Sequence, residues 1–195
     1  MRAHGIRILS FDARIQLLVV LLVAFPFSAR AGDCGMPTPD YKAERTVTVG
    51  DSNERMMVYV SGALVREERG SPNRLNVTIR DMQRGRVVVF DPHSGHAKVL
   101  RLPPRPTGSP TTRTLDEVGP DGSRVHAVQF QHGTDWLDVS RTRCRPDGIM
   151  ARQTFISVDP RGHEVEGTVT QDRIEIGQLS PDLFRLPPTA MLDPD

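Results

Sequence analysis

The chain is poor in cysteine and aromatic residues and lacks an excess of either charge, and each shortage excludes a class of protein. Only two of its 195 residues are cysteines and no Cys-x-x-Cys motif is present, which argues against a thiol-redox enzyme. Aromatic residues make up 5% and hydrophobic residues 37%, enough for one thin core but not for a large enzyme with a deep interior. The formal net charge of +1 excludes the basic surface typical of a nucleic-acid-binding protein.

The first 31 residues have the pattern of a secretory signal peptide. Arginines precede an unbroken apolar run over residues 17–27, which is shorter than the roughly 20 residues that span a bilayer. Ala29 and Ala31 then form an A-x-A cleavage site. We therefore expect cleavage after Ala31, export to the periplasm and a single domain over residues 32–195.

The two cysteines, Cys34 and Cys144, both follow the expected cleavage site. In an oxidising compartment two cysteines of one exported chain are expected to pair, so the sequence predicts a disulfide between them. Asp33 directly precedes Cys34, and this does not fit the small residues that precede the modified cysteine of a bacterial lipoprotein.

Nearly all of the chain after residue 40 has the pattern of strands and turns. Leu75, Val77 and Ile79 alternate with polar residues, which predicts a strand with one covered face, and residues 87–90 are apolar on both faces. About ten such segments without a long amphipathic helix predict an all-β domain with minor α content. The expected architecture is a bent antiparallel sheet or half-open β-barrel with a short helical plug.

The sequence also predicts several turns and the start of a short helix. Asp91 with Gly95, and Asp159 with Gly162, have the residue types of two similar hairpin turns. Ser180 followed by proline predicts the start of a short helix. The proline-rich residues 103–122 predict a loop or cover segment, with one helical turn over residues 114–118.

Four stretches, in this order, resemble the LolA/LolB-like group of periplasmic lipoprotein carriers, nearest its small uncharacterised members. They are residues 41–44, 60–68, 87–92 and 183–188. The resemblance covers about residues 40–190. It implies a half-open antiparallel β-barrel with short helices that plug one side, and a hydrophobic concavity that holds the acyl chains of lipoproteins.

The histidines offer two catalytic or metal-binding interpretations, and both are weak. His93 and His96 lie on one tight turn with too few further ligands for a metal ion. His126 and His132 flank a predicted strand, but the chain has no G-x-S-x-G nucleophile elbow that would go with a hydrolase. We therefore expect surface histidines, no metal, no cofactor and no enzymatic activity.

Charged residues alternate over residues 66–80. The favoured interpretation is a set of cross-strand ion pairs on the outer face of the sheet. The alternative is a stripe that binds anionic lipid head groups, because arginine suits phosphate. The arginine and glutamate residues in question are Arg66, Glu67, Glu68, Arg69, Arg74 and Arg80.

Together these features predict a non-enzymatic periplasmic protein that binds a hydrophobic or amphipathic ligand, a lipid or a lipoprotein acyl chain, in a concave sheet. The alternative is an envelope protein–protein interaction or regulatory module with the same fold and no lipid ligand. Neither interpretation involves nucleic acid, and membrane contact would be peripheral at most. The expected lining residues of the concavity are Leu75, Val77, Ile79, Val89 and Phe130.

Overall fold

A computed structural model describes the protein at residue 34 and over residues 39–71, 74–101, 112–132, 134–158 and 163–193. The signal peptide expected over residues 1–31 lies outside these described residues. Within the described residues the chain is almost entirely β, with twelve strands and one short 3₁₀ helix. None of its helices there is long and apolar enough to cross a membrane.

The strands follow one another with short connections. The first six are β1 (Tyr41–Val49), β2 (Ser52–Ser61), β3 (Leu64–Arg69), β4 (Asn76–Asp81), β5 (Arg86–Phe90) and β6 (His96–Arg101). The next five are β7 (Thr112–Val118), β8 (Arg124–His132), β9 (Asp135–Cys144), β10 (Met150–Val158) and β11 (Glu164–Ile176). The 3₁₀ helix (Pro181–Phe184) and β12 (Met191–Leu192) complete the chain.

All twelve strands belong to one sheet, in the order β12-β6-β5-β4-β3-β2-β1-β11-β10-β9-β8-β7. Neighbouring strands are antiparallel, except that the short β12 runs parallel to β6. β1 pairs with both β2 and β11, so it joins two meanders into one surface. The sheet is not closed into a barrel, which confirms the predicted all-β bent sheet, with twelve strands where about ten were expected.

The connection between β6 and β7 requires the sheet to curve. These strands lie ten strand spacings apart in the sheet order, which is about 48 Å in a flat sheet. Eleven residue steps join Arg101 to Thr112 and span at most about 40 Å. Ile149, in the turn between β9 and β10, belongs to the same buried cluster as Val58 and Val60 of β2. The sheet therefore bends toward the face that carries these two valines, which we call the inner face; the opposite face is the outer face.

The main core lies on the inner face of β1, β2 and β3. Its buried members are Tyr41, Ala43, Met56, Val58, Val60, Val65 and Ile149. The disulfide between Cys34 and Cys144 joins the N-terminal segment to the end of β9 across a sequence separation of 110 residues. This is the pairing that the sequence predicts.

A second core lies on the outer face of β4, β5 and β6, under the C-terminal segment, residues 183–192. Its strand residues are Val77, Ile79, Val88, Phe90 and Ala97. Phe184, Leu186 and Ala190 of the C-terminal segment pack against them. Ser180 caps the 3₁₀ helix, because its side chain accepts a hydrogen bond from the backbone N–H of Asp182, and this confirms the predicted helix start.

Two local expectations are wrong. Residues 114–118 form part of strand β7 and not a helical turn, because β8 offers this segment a full antiparallel ladder, with Leu115 opposite Ala127. The 3₁₀ helix does not plug the concavity, because it packs on the outer face through Phe184.

The first Asp-Pro turn is confirmed: Asp91 accepts the backbone N–H of His93 at 2.8 Å, and Gly95 adopts a φ of 74°. The second such turn, at residues 159–162, lies outside the described residues.

Candidate functional site

The five residues predicted to line a concavity do not share one surface. Val77 has no exposed area, and Leu75, Val77 and Ile79 all pack in the core under the C-terminal segment. Val89 lies opposite Thr78 on the inner face, and Phe130 lies on the inner face of β8 in the other half of the sheet. The period-two pattern identified a covered strand face. It did not contain the information that the chain's own C-terminus supplies the cover.

The inner face carries exposed apolar side chains near the hairpin end of β8 and β9. Phe130 and Leu137 are directly opposite each other on these two antiparallel strands. Their relative exposures are 41% and 51%, which is high for large hydrophobic side chains that form a cross-strand pair. An exposed pair of this kind on a concave surface is a candidate contact for an apolar ligand.

The apolar surface continues toward the centre of the sheet. Val128 lies opposite Ser140, and Ser140 lies opposite Phe155 on β10. The Phe155 ring occupies the space where a Cβ atom of Gly167 would lie, so glycine is required beneath it. We call the inner-face residues Val128, Phe130, Leu137 and Phe155 the apolar floor.

A cavity of about 390 Å³ lies among β9, β10 and β11. Ser140, Phe155 and Val165 of the inner face line it, but most of its lining residues, Arg141 and Ile156 among them, belong to the outer face. The volume lies at the lower end of the range typical of small-ligand sites.

The inner face of β1, β3 and β4 carries buried charged side chains instead of apolar ones. Glu67 is 2% exposed and accepts hydrogen bonds from Arg80 at 2.6 Å, Arg45 at 2.8 Å and Arg69 at 2.9 Å. Burial alone would raise the pKa of Glu67, but the three guanidinium groups outweigh burial and lower that pKa from 4.5 to about 2. We call Arg45, Glu67, Arg69 and Arg80 the arginine cluster.

The arginine cluster is tied to the main core. Arg45 donates a second hydrogen bond to the side-chain oxygen of Gln171 at 3.3 Å, and Gln171 in turn donates to the backbone oxygen of Met150 at 2.6 Å. The neighbouring Tyr41 is buried, and this burial raises its pKa above the ordinary value. The cluster is thus held by strands from both halves of the sheet.

The expectation that the charged residues of 66–80 form cross-strand pairs on the outer face is wrong for the main pairs. Arg66 and Glu68 pair on the outer face at 2.7 Å, but both belong to β3, and Arg66 also donates to the backbone oxygen of Leu183. The cross-strand pair of Glu67 with Arg80 lies on the inner face instead. The reason is the period of two: successive residues of a strand point to opposite faces.

The histidines do not form a catalytic or metal-binding group in the part of the chain that the structure describes. His96 contacts Asp193 at 2.7 Å, which ties β6 to the end of the C-terminal segment, and His126 contacts Asp116 at 2.6 Å across β7 and β8. No set of three or more His, Cys, Asp or Glu side chains is placed to hold a metal ion among the described residues.

A second cavity, of about 630 Å³, lies between the β7–β8 loop and the outer face. Arg141, Arg143 and Arg152 line it. Arg141 pairs with Glu117 at 3.0 Å and Arg143 with Asp121 at 3.5 Å, so acidic neighbours balance two of its three positive charges.

Comparisons with known proteins identify the fold and no more. No family model matches the chain, and no curated protein matches it. An uncharacterised conserved protein from Thermus thermophilus has a similar structure, with a TM-score of 0.51 and 15% identity over 93% of this chain and 99% of that one. This likeness establishes a shared fold. A LolA superfamily protein from Nitrosomonas europaea has a TM-score of 0.38 and 12% identity, over 89% of this chain and 97% of that one, and this likeness is too low to support an argument.

Proposed function

We propose that the protein is an exported, non-enzymatic binding protein that holds a hydrophobic or amphipathic ligand on the inner face of its open sheet. One observation carries this proposal: Phe130 and Leu137 form an exposed apolar pair on the concave side of a sheet that does not close. The proposal requires no metal and no cofactor.

The physical basis is the removal of apolar surface from water. Burial of apolar surface stabilises a complex by roughly 25 cal/mol per Å². A 12-carbon chain that loses about 200 Å² of exposed surface would therefore gain about 5 kcal/mol before the entropic cost of association is subtracted. A preformed floor keeps that cost low, because Phe155 is already fixed over Gly167.

The expected compartment supports the same function. The disulfide between Cys34 and Cys144 is typical of an oxidising environment, and the signal-peptide pattern of residues 1–31 predicts export to one. A carrier of lipid or lipoprotein acyl chains in the periplasm is therefore our specific form of the proposal, with the resemblance of residues 41–44, 60–68, 87–92 and 183–188 in its favour.

The test is a fluorescence titration with the neutral apolar probe N-phenyl-1-naphthylamine. We expect Phe130→Asp and Leu137→Asp to weaken probe binding by at least about tenfold, because each places a charge where the apolar chain must lie. The matched control is Leu192→Asp, which alters a similarly exposed apolar residue on β12, at the opposite edge of the sheet. All three variants should fold, since each substituted side chain is already in contact with water.

Two results would contradict the proposal. If the wild-type protein does not bind the probe, the concave face is not an apolar binding site and the protein–protein interaction module is the better interpretation. If Leu192→Asp weakens binding as much as Phe130→Asp does, the probe does not bind at the inner face.

A further inference from the structure

The arginine cluster carries more positive charge than its acidic side chains balance. Three guanidinium groups surround Glu67. Among the described residues, the other carboxylate within ion-pair distance is that of Glu54, which lies 3.7 Å from Arg69 and is 40% exposed, so water weakens its contribution. One positive charge is left over at a largely buried position.

Two of the arginines also have unused hydrogen-bond donors. Among the described residues, the Nε atoms of Arg45 and Arg69 are buried and have no hydrogen-bond partner. Buried polar atoms of folded proteins are nearly always hydrogen-bonded, so an unpaired buried donor calls for an explanation. Both donors belong to planar guanidinium groups, which suit oxygen anions such as carboxylate and phosphate.

The cluster is partly exposed and lies on the same face of the sheet as the apolar floor. The arginine side chains keep 12 to 17% of their surface exposed. Val47 follows Arg45 on the inner face of β1, and Val169 lies opposite Val47 on β11. On the next strand Gln153 lies opposite Val169, and Phe155 lies two residues further along, opposite Gly167, which pairs with Val49. Phe155 is therefore two strand spacings and four residues from Arg45, or about 17 Å, which a long alkyl chain spans.

We propose that the arginine cluster receives the anionic oxygen head group of an amphipathic ligand whose apolar chain lies along the apolar floor. This inference rests on the proposed function and specifies its ligand class: an alkyl chain that ends in one phosphate or carboxylate. The arginines of the outer-face cavity are poorer candidates, because Arg141 and Arg143 are far more exposed to water and lie on the face opposite the apolar floor.

The experiment compares three compounds on the intact protein by isothermal titration calorimetry: dodecyl phosphate, dodecanol and inorganic phosphate. We expect dodecyl phosphate to bind at least about tenfold more tightly than dodecanol, because charge-assisted hydrogen bonds to two guanidinium groups add to the same apolar contact. We expect this advantage to shrink as salt is added, since the arginines are partly exposed.

Substitutions in the arginine cluster test whether it causes the tighter binding of dodecyl phosphate. Arg69→Gln should remove most of the preference for dodecyl phosphate while the affinity for dodecanol stays within about twofold. Arg55→Gln is the matched control, because Arg55 is an exposed arginine on the outer face of β2. If Arg69→Gln does not fold, Arg45→Gln takes its place, and the comparison of compounds on the wild-type protein remains decisive.

The outcomes separate this inference from the function on which it rests. Equal affinities for dodecyl phosphate and dodecanol would overturn the head-group assignment and leave the carrier function intact. No binding of either compound would overturn both. Inorganic phosphate that binds as tightly as dodecyl phosphate would show a site for free anions, which also overturns the proposed ligand. A preference that survives in both Arg69→Gln and Arg45→Gln would place the head group elsewhere.

Discussion

Glu67 is the residue on which the inner-face electrostatics depend. Its carboxylate is buried, and each of its oxygen atoms accepts a hydrogen bond from a guanidinium group. A buried ion pair is weak evidence for stability in itself, because desolvation opposes the Coulombic attraction. Removal of the single carboxylate has a clearer effect, because three partly buried positive charges would then face one another.

We expect Glu67→Gln to lower the free energy of unfolding by about 3–5 kcal/mol at neutral pH. The measurement is urea unfolding followed by circular dichroism. Glu164→Gln, which alters an exposed carboxylate on β11, is the control and should change stability by less than about 0.5 kcal/mol. A Glu67→Gln protein as stable as the wild type would contradict this account of the cluster.

The pH dependence of the same two proteins provides an independent readout. Because the folded protein lowers the pKa of Glu67 from 4.5 to about 2, its ionisation stabilises the fold by about 3 kcal/mol above pH 4.5. This contribution decreases as the pH falls below 4.5 and is lost as the pH falls through about 2. The wild-type protein should therefore show a steeper loss of stability over this range than Glu67→Gln does. Parallel curves would show that Glu67 does not titrate as described.

The sequence contained only part of this arrangement. The alternation of Arg66, Glu67 and Glu68 predicted ion pairs, and pairs are present. A period of two separates odd from even residues but does not say which set faces inward. The partner Arg45 comes from β1, and only the register between β1, β2 and β3 brings it to Glu67.

At the scale of elements, the C-terminal segment decides which strand faces are available. It covers the outer face of β4, β5 and β6 through Phe184 and Leu186, and β12 adds a parallel strand at the edge of β6. The alternation of Leu75, Val77 and Ile79 correctly predicted that one face of this strand is covered. The covering segment lies more than 100 residues further along the chain, so no local pattern could identify it.

A substitution at Val77 tests this packing. We expect Val77→Arg to destabilise the protein by at least about 3 kcal/mol, because the charge would be buried without a partner under Phe184. Val118→Arg is the matched control, since Val118 is 71% exposed on β7 and should tolerate the same change. Thermal unfolding measures both. Equal melting temperatures for the two variants would mean that the C-terminal segment does not hold Val77 in a packed core.

The local sequence pattern did not predict strand β7. Residues 114–118 lack the clean apolar alternation of β4, and the neighbouring prolines favoured a loop. Pairing with β8 places this segment at the edge of the sheet, where one ladder of hydrogen bonds fixes its conformation. Tertiary pairing therefore overrode a weak local preference.

At the scale of the whole molecule, the order of the strands creates the concave site. β1 lies at the centre of the sheet and carries Arg45, while the apolar floor belongs to strands that come much later in the chain. The fold class could be predicted from strand count and turn chemistry alone. The composition of the concave face could not, because it depends on pairings between residues more than 100 positions apart, such as Arg45 with Gln171.

The most direct measurement of the central claim is residue-level photo-crosslinking with a 12-carbon alcohol that carries a diazirine at its chain terminus. A neutral probe tests the concave site independently of any head group. We predict that tandem mass spectrometry will locate the label at the exposed apolar-floor residues, with Phe130 and Leu137 the principal sites, and that unlabelled dodecanol will compete. A label found mainly at Met191 or Leu192, at the other edge of the sheet, or labelling that dodecanol does not reduce, would contradict a ligand site on the inner face.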